Sequence, residues 1–213
     1  IMGGTGSITL SHSGTITGSG LGLTLGGNSG GSIASIIGTD AGTVTKQDSG
    51  TWTLSGANTY TGGTTISAGT LTSGSATAFG TGTITVSSGA ALDLNGQTMT
   101  STGGLTLNGT GISSGGALLN SSATGGTYAG LVTLGSAASI MGGTGSITLS
   151  HSGTITGSGF GLTFGGSSGG SIASIIGTGA GTLTKSGTGT WTLSGVNTYT
   201  GDTTISGGTL ALS

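Results

Sequence analysis

The sequence predicts an all-β fold, a parallel β-helix (β-solenoid), on three observations. Apolar residues alternate with Thr or Ser in runs of three to five, each bounded by Gly or Ser. No segment keeps apolar residues at helical spacing for more than a turn, so essentially no helix is expected. The start of the chain also returns near its end: residues 1–74 and 140–213 align at a constant offset of 139 positions. The exchanges between the copies are mild, Leu21 for Phe160, Leu25 for Phe164, Val44 for Leu183 and Ala57 for Val196, as when each position keeps its packing environment. Self-similarity of this kind points to stacked units that bury their apolar faces only against neighbours.

In chain order the alternating runs are Ser7 to Leu10, Thr15 to Thr17, Leu21 to Leu25, Thr43 to Thr45 and Thr51 to Leu54, then Thr65 to Ser67 and Thr70 to Thr72. The block 75–139 continues in the same style with Thr83 to Val86, Leu92 to Leu94 and Leu105 to Leu107. Period two over such lengths is the strand signal, with Thr outward and Ile, Leu or Val inward. Ser-Gly, Gly-Gly, Asn-Gly and Thr-Gly pairs between the runs supply corners that accept positive φ. An antiparallel sandwich would suit this punctuation too. Long-range repetition and the single inward aliphatic residue of many strands favour the solenoid. A coil of three short strands takes roughly 20 to 25 residues, which divides the offset into six or seven coils and the chain into about ten. At a strand spacing of about 4.8 Å, ten coils make a rod about 48 Å long. No composition change marks a boundary, so 1–213 is expected to be one continuous solenoid segment, a window on a longer array.

Composition narrows the class further. The chain has 53 Gly, no Pro, no Cys, 3% charged and 31% hydrophobic residues. Missing Pro and a missing Gly-X-Y period exclude collagen, and recurrent Ile, Leu and Val separate the chain from a Gly/Ser linker. Lys46 and Lys185 are outnumbered by Asp40, Asp48, Asp93 and Asp202, for a formal net charge of -2. No basic stripe exists to neutralise phosphates, which argues against nucleic acid and against anionic membranes. No apolar run is long enough to span a bilayer.

The segments GTVTKQDSGTWTLSGANTYTGGTTISAGTL, Gly42 to Leu71, and GTLTKSGTGTWTLSGVNTYTGDTTISGGTL, Gly181 to Leu210, resemble the autotransporter-associated β-strand repeat of bacterial surface-protein passengers. The stretch from Ala76 to Gln97 resembles the usual continuation of that repeat. The resemblance implies the right hand of the β-helix, export to the cell surface or extracellular space, and a role as stalk or adhesin scaffold. It carries no catalytic residues and no cofactor.

The residues that could carry chemistry are few. Asp40 and Asp48 become Gly179 and Gly187 in the second copy, and Asp93 and Asp202 stand alone, so no repeated carboxylate pair is available for acid–base work. His12 and His151 are equivalent but lack neighbouring Cys, Glu or Asp, which makes turn histidines a better reading than metal ligands. Asn108-Gly-Thr and Asn120-Ser-Ser match the glycosylation acceptor pattern. Trp52 with Tyr60, and Trp191 with Tyr199, recur at a spacing of eight. Such rings can bind sugars on an adhesive face, or pack at corners of the coil. Regular outward Thr can order water as ice-binding solenoids do, or can simply fill strand positions. Expected partners are neighbouring repeats or head-to-tail copies meeting through open strand edges, and surface glycans or neighbouring cell surfaces. Low charge and high β propensity also leave lateral cross-β association open.

Overall fold

The computed structural model describes residues 1–100 and 103–213. Strands follow the period-two runs closely: Ile8–Leu10, Thr15–Thr17, Leu23–Leu25, Val44–Lys46, Thr51–Leu54, Thr64–Ile66 and Ile84–Val86. Gly31–Ile33 and Ile36–Gly38 are further strands that glycine hides from an alternation test. Every strand pairing among the described residues is parallel. A single 3-10 turn, Ile112–Ser114, is the helical content of the described residues.

The strands stack in three ladders, each forming one face of the solenoid. The first face runs through Ile8, Gly31, Trp52, Leu71, Leu92, Leu118, Ile140, Phe164, Lys185 and Ile205, each the register partner of the next. One coil takes roughly 22 residues, within the range usual for solenoid repeats, and the protein is a solenoid of about ten coils. The second face begins with Thr15–Thr17 and Ile36–Gly38. It passes through irregular backbone held by Thr59 N–H to Ile37 O, Asn58 Nδ2 to Ala78 O and Thr100 N–H to Ala76 O. It then continues as Thr98–Met99, Gly126–Tyr128, Ile147–Leu149, Gly170–Ile172, Thr190–Leu193 and Thr209–Leu212. The third face stacks Leu23–Leu25, Val44–Lys46, Thr64–Ile66, Ile84–Val86 and Leu105–Gly109 under the first half of the long strand Val132–Gly142. That strand's second half lies on the first face, so here one strand turns the corner between faces without a loop.

Coil length is not constant. The step from Trp52 to Leu71 is short, whereas the step from Leu92 to Leu118 is long, because the loop containing the 3-10 turn is pushed out between the third and first faces. Ile112 at its tip is 41% exposed. Such irregularities have a consequence for the repeat, because the offset between its two copies is not a whole number of coils. Trp52 sits on the first face and its counterpart Trp191 on the second. Likewise Val44–Lys46 lies on the third face and Leu183–Lys185 on the first. The two copies have the same fold turned by one face, a third of a turn, about the solenoid axis.

The inward residues form one continuous core from Leu25 to Leu193, dominated by Ile, Leu and Val with two Trp, two fully buried Tyr and two Phe. Parallel ladders bury such residues in columns, and the outward partner of each is most often Thr. Asp40 and Asp48 adopt φ of 52° and 61°, and the glycines replacing them in the second copy, Gly179 and Gly187, adopt 58° and 68°. The Asp-to-Gly exchange between copies thus keeps a left-handed corner that both residue types tolerate.

Candidate functional site

The repeated aromatic motif is built inward from two strands. In Thr51–Leu54, alternation directs Trp52 and Leu54 into the core and Thr51 and Thr53 outward. Trp52 is 0% exposed, and its Nε1–H donates to Gly26 O at 3.0 Å. Its ring lies against Gly31 of the preceding coil, where a Cβ would come within 3.0 Å of the indole and 2.2 Å of Ile8 O. Trp191 repeats every feature: 0% exposed, Nε1–H to Gly165 O at 3.0 Å, and Gly170 beneath the ring. It also stacks on Phe164, with centroids 4.8 Å apart, where the first copy has Leu25.

Tyr60 is fully buried and shares a hydrogen bond with Thr64 Oγ1 at 2.6 Å, while burial holds its phenol well above the usual tyrosine range. Tyr199 makes the same bond to Thr203 and is partly buried. The four aromatic residues singled out by their recurrence are thus brought into the packing of the coils, with no indole face turned to solvent. Asn58, between them, accepts from Ile37 N–H and donates to Ala78 O, joining three successive coils. Asn197 accepts the equivalent bond from Ile176 N–H.

The remaining polar candidates are also engaged in holding turns. His12 Nδ1 accepts from Gly14 N–H, and His151 Nδ1 from Gly153 N–H, both at 2.8 Å. Asp93 is buried and accepts from Asn95 N–H, Ser121 N–H and Ser121 Oγ. Asp48 Oδ2 accepts from Gly27 N–H. The amide nitrogens of both glycosylation-pattern residues are used internally, Asn108 to Val86 O and the fully buried Asn120 to Thr124 O and Ser146 O. Among the described residues no pocket opens, and no group of three metal-ligating side chains converges. No helix among them is long and apolar enough to cross a membrane.

Two features were not drawn from the sequence. Both lysines, the only Lys or Arg in the chain, are 0% exposed. The alternation Val44-Thr45-Lys46 and Leu183-Thr184-Lys185 already placed them inward, so the signal was present in the period itself. The exterior therefore carries no ammonium or guanidinium side chain, while Asp40, Asp48 and Asp202 are exposed. The other feature is a rank of threonines on the third face. Thr24, Thr45, Thr65, Thr85, Thr106, Thr133 and Thr156 are register partners in seven consecutive coils. The first and second faces have no equal among the described residues, because Asp93, Leu119, Met141 and Gly165 interrupt the first and Ser171 and Ala211 the second.

Two stretches of the solenoid match a known protein family. The model of the passenger-associated-transport-repeat matches residues 44–72 and again 183–212, the two strand–corner–strand units that hold Lys46, Trp52, Asn58 and Tyr60 and their counterparts. These two segments, together well under half of the chain, are similar to the passenger-associated-transport-repeat. Each spans a little more than one coil, and the remaining coils carry the same architecture outside the matched residues. No curated protein and no solved structure matches the chain. In these two segments the recurrent Trp, Asn and Tyr are packing and corner residues, and the recurrent Lys is a buried cation.

Proposed function

We propose that this chain is a rigid, non-enzymatic length of a passenger exposed at the cell surface or outside the cell, where it acts as a stalk or filament that spaces or displays an adhesive element. The observation that carries this reading is the parallel ladder that connects Ile8 to Ile205 coil by coil. In such a solenoid each coil is hydrogen-bonded to the coils on either side, so length is gained by adding coils rather than by new folds. The two segments similar to the passenger repeat support it. Further repeats or head-to-tail copies would pair with it through strand edges. Electron microscopy of the purified protein should show rods about 48 Å long, from ten coils at about 4.8 Å. Compact spheroidal particles would overturn the reading, as would failure of an antibody against the folded repeat to label intact source cells.

A second reading rests on the threonine rank. Thr24, Thr45, Thr65, Thr85 and Thr106 give their hydroxyls to no other protein group among the described residues. The flanking positions alternate as Gly22, Thr43, Gly63, Thr83 and Gly104, without charge. Uncharged hydroxyls at strand spacing can order the first water layer and bind ice. Thermal hysteresis that disappears in Thr65→Lys, and persists in Thr53→Lys on another face, is the expected result. No hysteresis in the unmodified protein at high concentration removes this reading.

A further inference from the structure

Lys46 and Lys185 lie on different faces of the solenoid, a third of a turn apart, yet their ammonium groups have the same surroundings. Lys46 Nζ donates to Gln47 O at 2.8 Å, Asp48 O at 2.7 Å and Ala68 O at 2.9 Å. Lys185 Nζ donates to Ser186 O at 2.5 Å, Gly187 O at 3.0 Å and Gly207 O at 3.0 Å. In each case two carbonyls come from the lysine's own corner and the third from the corner of the next coil. The three N–H bonds of an ammonium match three acceptors with none left over. Each cage is roofed by a glycine in the left-handed region, Gly69 at φ 66° and Gly208 at φ 64°. A Cβ on Gly69 would come within 2.5 Å of Lys46 Nζ, and one on Gly208 within 2.8 Å of Lys185 Nζ, so a side chain there would invade the site. No carboxylate completes either cage, since Asp48 contributes its backbone oxygen and its side chain is turned to Gly27 N–H.

Converging backbone carbonyls that enclose one positive charge form a cation site, as they do around bound metal ions. We infer that each repeat contains a carbonyl cation site at the corner between two coils, and that the lysine fills it from within as a tethered ammonium ion. Each lysine turns to the two carbonyls that directly follow it, so the cation that links the corners is supplied by the fold and needs no ion from the medium. Burial lowers both lysines from their usual range and is opposed at Lys46 by the Asp48 carboxylate, so Lys46 is an ammonium below about pH 8. A vacated site should accept a free cation of the same size and hydrogen-bonding capacity as the lost one. The ligand class is a primary alkylammonium.

The test uses Lys46→Ala in the whole chain with n-propylammonium, which restores the atoms removed beyond Cβ. The variant should lose urea resistance, and millimolar to decimolar n-propylammonium should raise its urea midpoint while leaving the unmodified protein unchanged. Ligand that binds the native state alone shifts the midpoint by mass action. The neutral isostere 1-propanol should have no such effect. The inference is overturned if the amine has no effect, if 1-propanol serves equally well, or if the amine stabilises the unmodified protein to the same extent. If Lys46→Ala does not fold in buffer, refolding with n-propylammonium but not with 1-propanol is the expected outcome, and failure in both overturns the inference. A separate measurement needs no variant: an amine-reactive ester should label the N-terminus of the folded protein and spare both lysines until urea unfolds it. Equal labelling of all three amines would also overturn the inference.

Discussion

Replacing Trp52 by Ala removes the largest side chain of the first copy from a position with no solvent exposure. Truncation of a buried Trp costs about 3–5 kcal/mol through lost transfer energy and the cavity left behind. Gly26 O loses its donor as well, a term of about 1 kcal/mol that a penetrating water can partly recover. A loss of about 4 kcal/mol is therefore expected for Trp52→Ala. Trp191→Ala should cost slightly more per ring, because its stack on Phe164 adds about 0.5–1.5 kcal/mol. The chain has two Trp, so each variant keeps the other as its only indole reporter. Urea unfolding followed by the emission of the remaining Trp measures the loss and its spread along the rod. In a solenoid with nearest-neighbour coupling, the remaining reporter should unfold at a midpoint less depressed than that of the backbone signal from circular dichroism. Before urea is added, acrylamide should barely quench either indole. A loss below about 1 kcal/mol, far under the cost of a buried Trp, or native quenching as efficient as that in urea, would refute the packing assignment of these rings and return them to the surface, where a sugar could stack.

Gly31→Ala and Gly170→Ala should each destabilise the protein strongly, because a Cβ would come within 2.2 Å of Ile8 O or 2.1 Å of Ile147 O and press on the indole; urea midpoints check this, and an unchanged midpoint refutes it. The Lys46 ammonium is lowered by burial to about 8, against 10.5 for an unburied lysine. The unfolded chain then binds more protons between pH 8 and 10.5, so stability should rise with pH in that window. Lys46→Met should flatten this rise, measured by urea midpoints at a series of pH values. Asn58→Ala should cost about 2 kcal/mol, since both the Ile37 N–H and Ala78 O partners are left buried and unpaired. Asn197→Ala should cost less, because among the described residues Asn197 makes only its bond to Ile176 N–H; thermal melts of the two variants decide the order.

Much of the fold was legible because strands in a parallel solenoid announce themselves locally. Thr15–Thr17 and Thr51–Leu54 were bounded to the residue by period two alone. The strand Gly31–Ile33 was not, since glycine carries no hydropathy and its strand role is dictated by Trp52 lying over it. At the candidate site the recurrence of Trp52, Tyr60, Trp191 and Tyr199 was plain, but recurrence does not say which way a ring points. Direction followed from the parity of each position in its strand, and the same parity carried Lys46 and Lys185 inward.

The amino-acid sequence by itself determined that the chain is a parallel β-solenoid of about ten coils containing one motif twice, because alternation, glycine corners and self-similarity are properties of neighbouring residues. Only the tertiary structure decided how the copies are oriented. Register between coils depends on the length of every intervening corner, from the short step between Trp52 and Leu71 to the long one between Leu92 and Leu118. Those lengths are set by which strands stack on which. The near-identical copies consequently differ by a third of a turn, and the continuous threonine rank is assembled from both copies and the block between them.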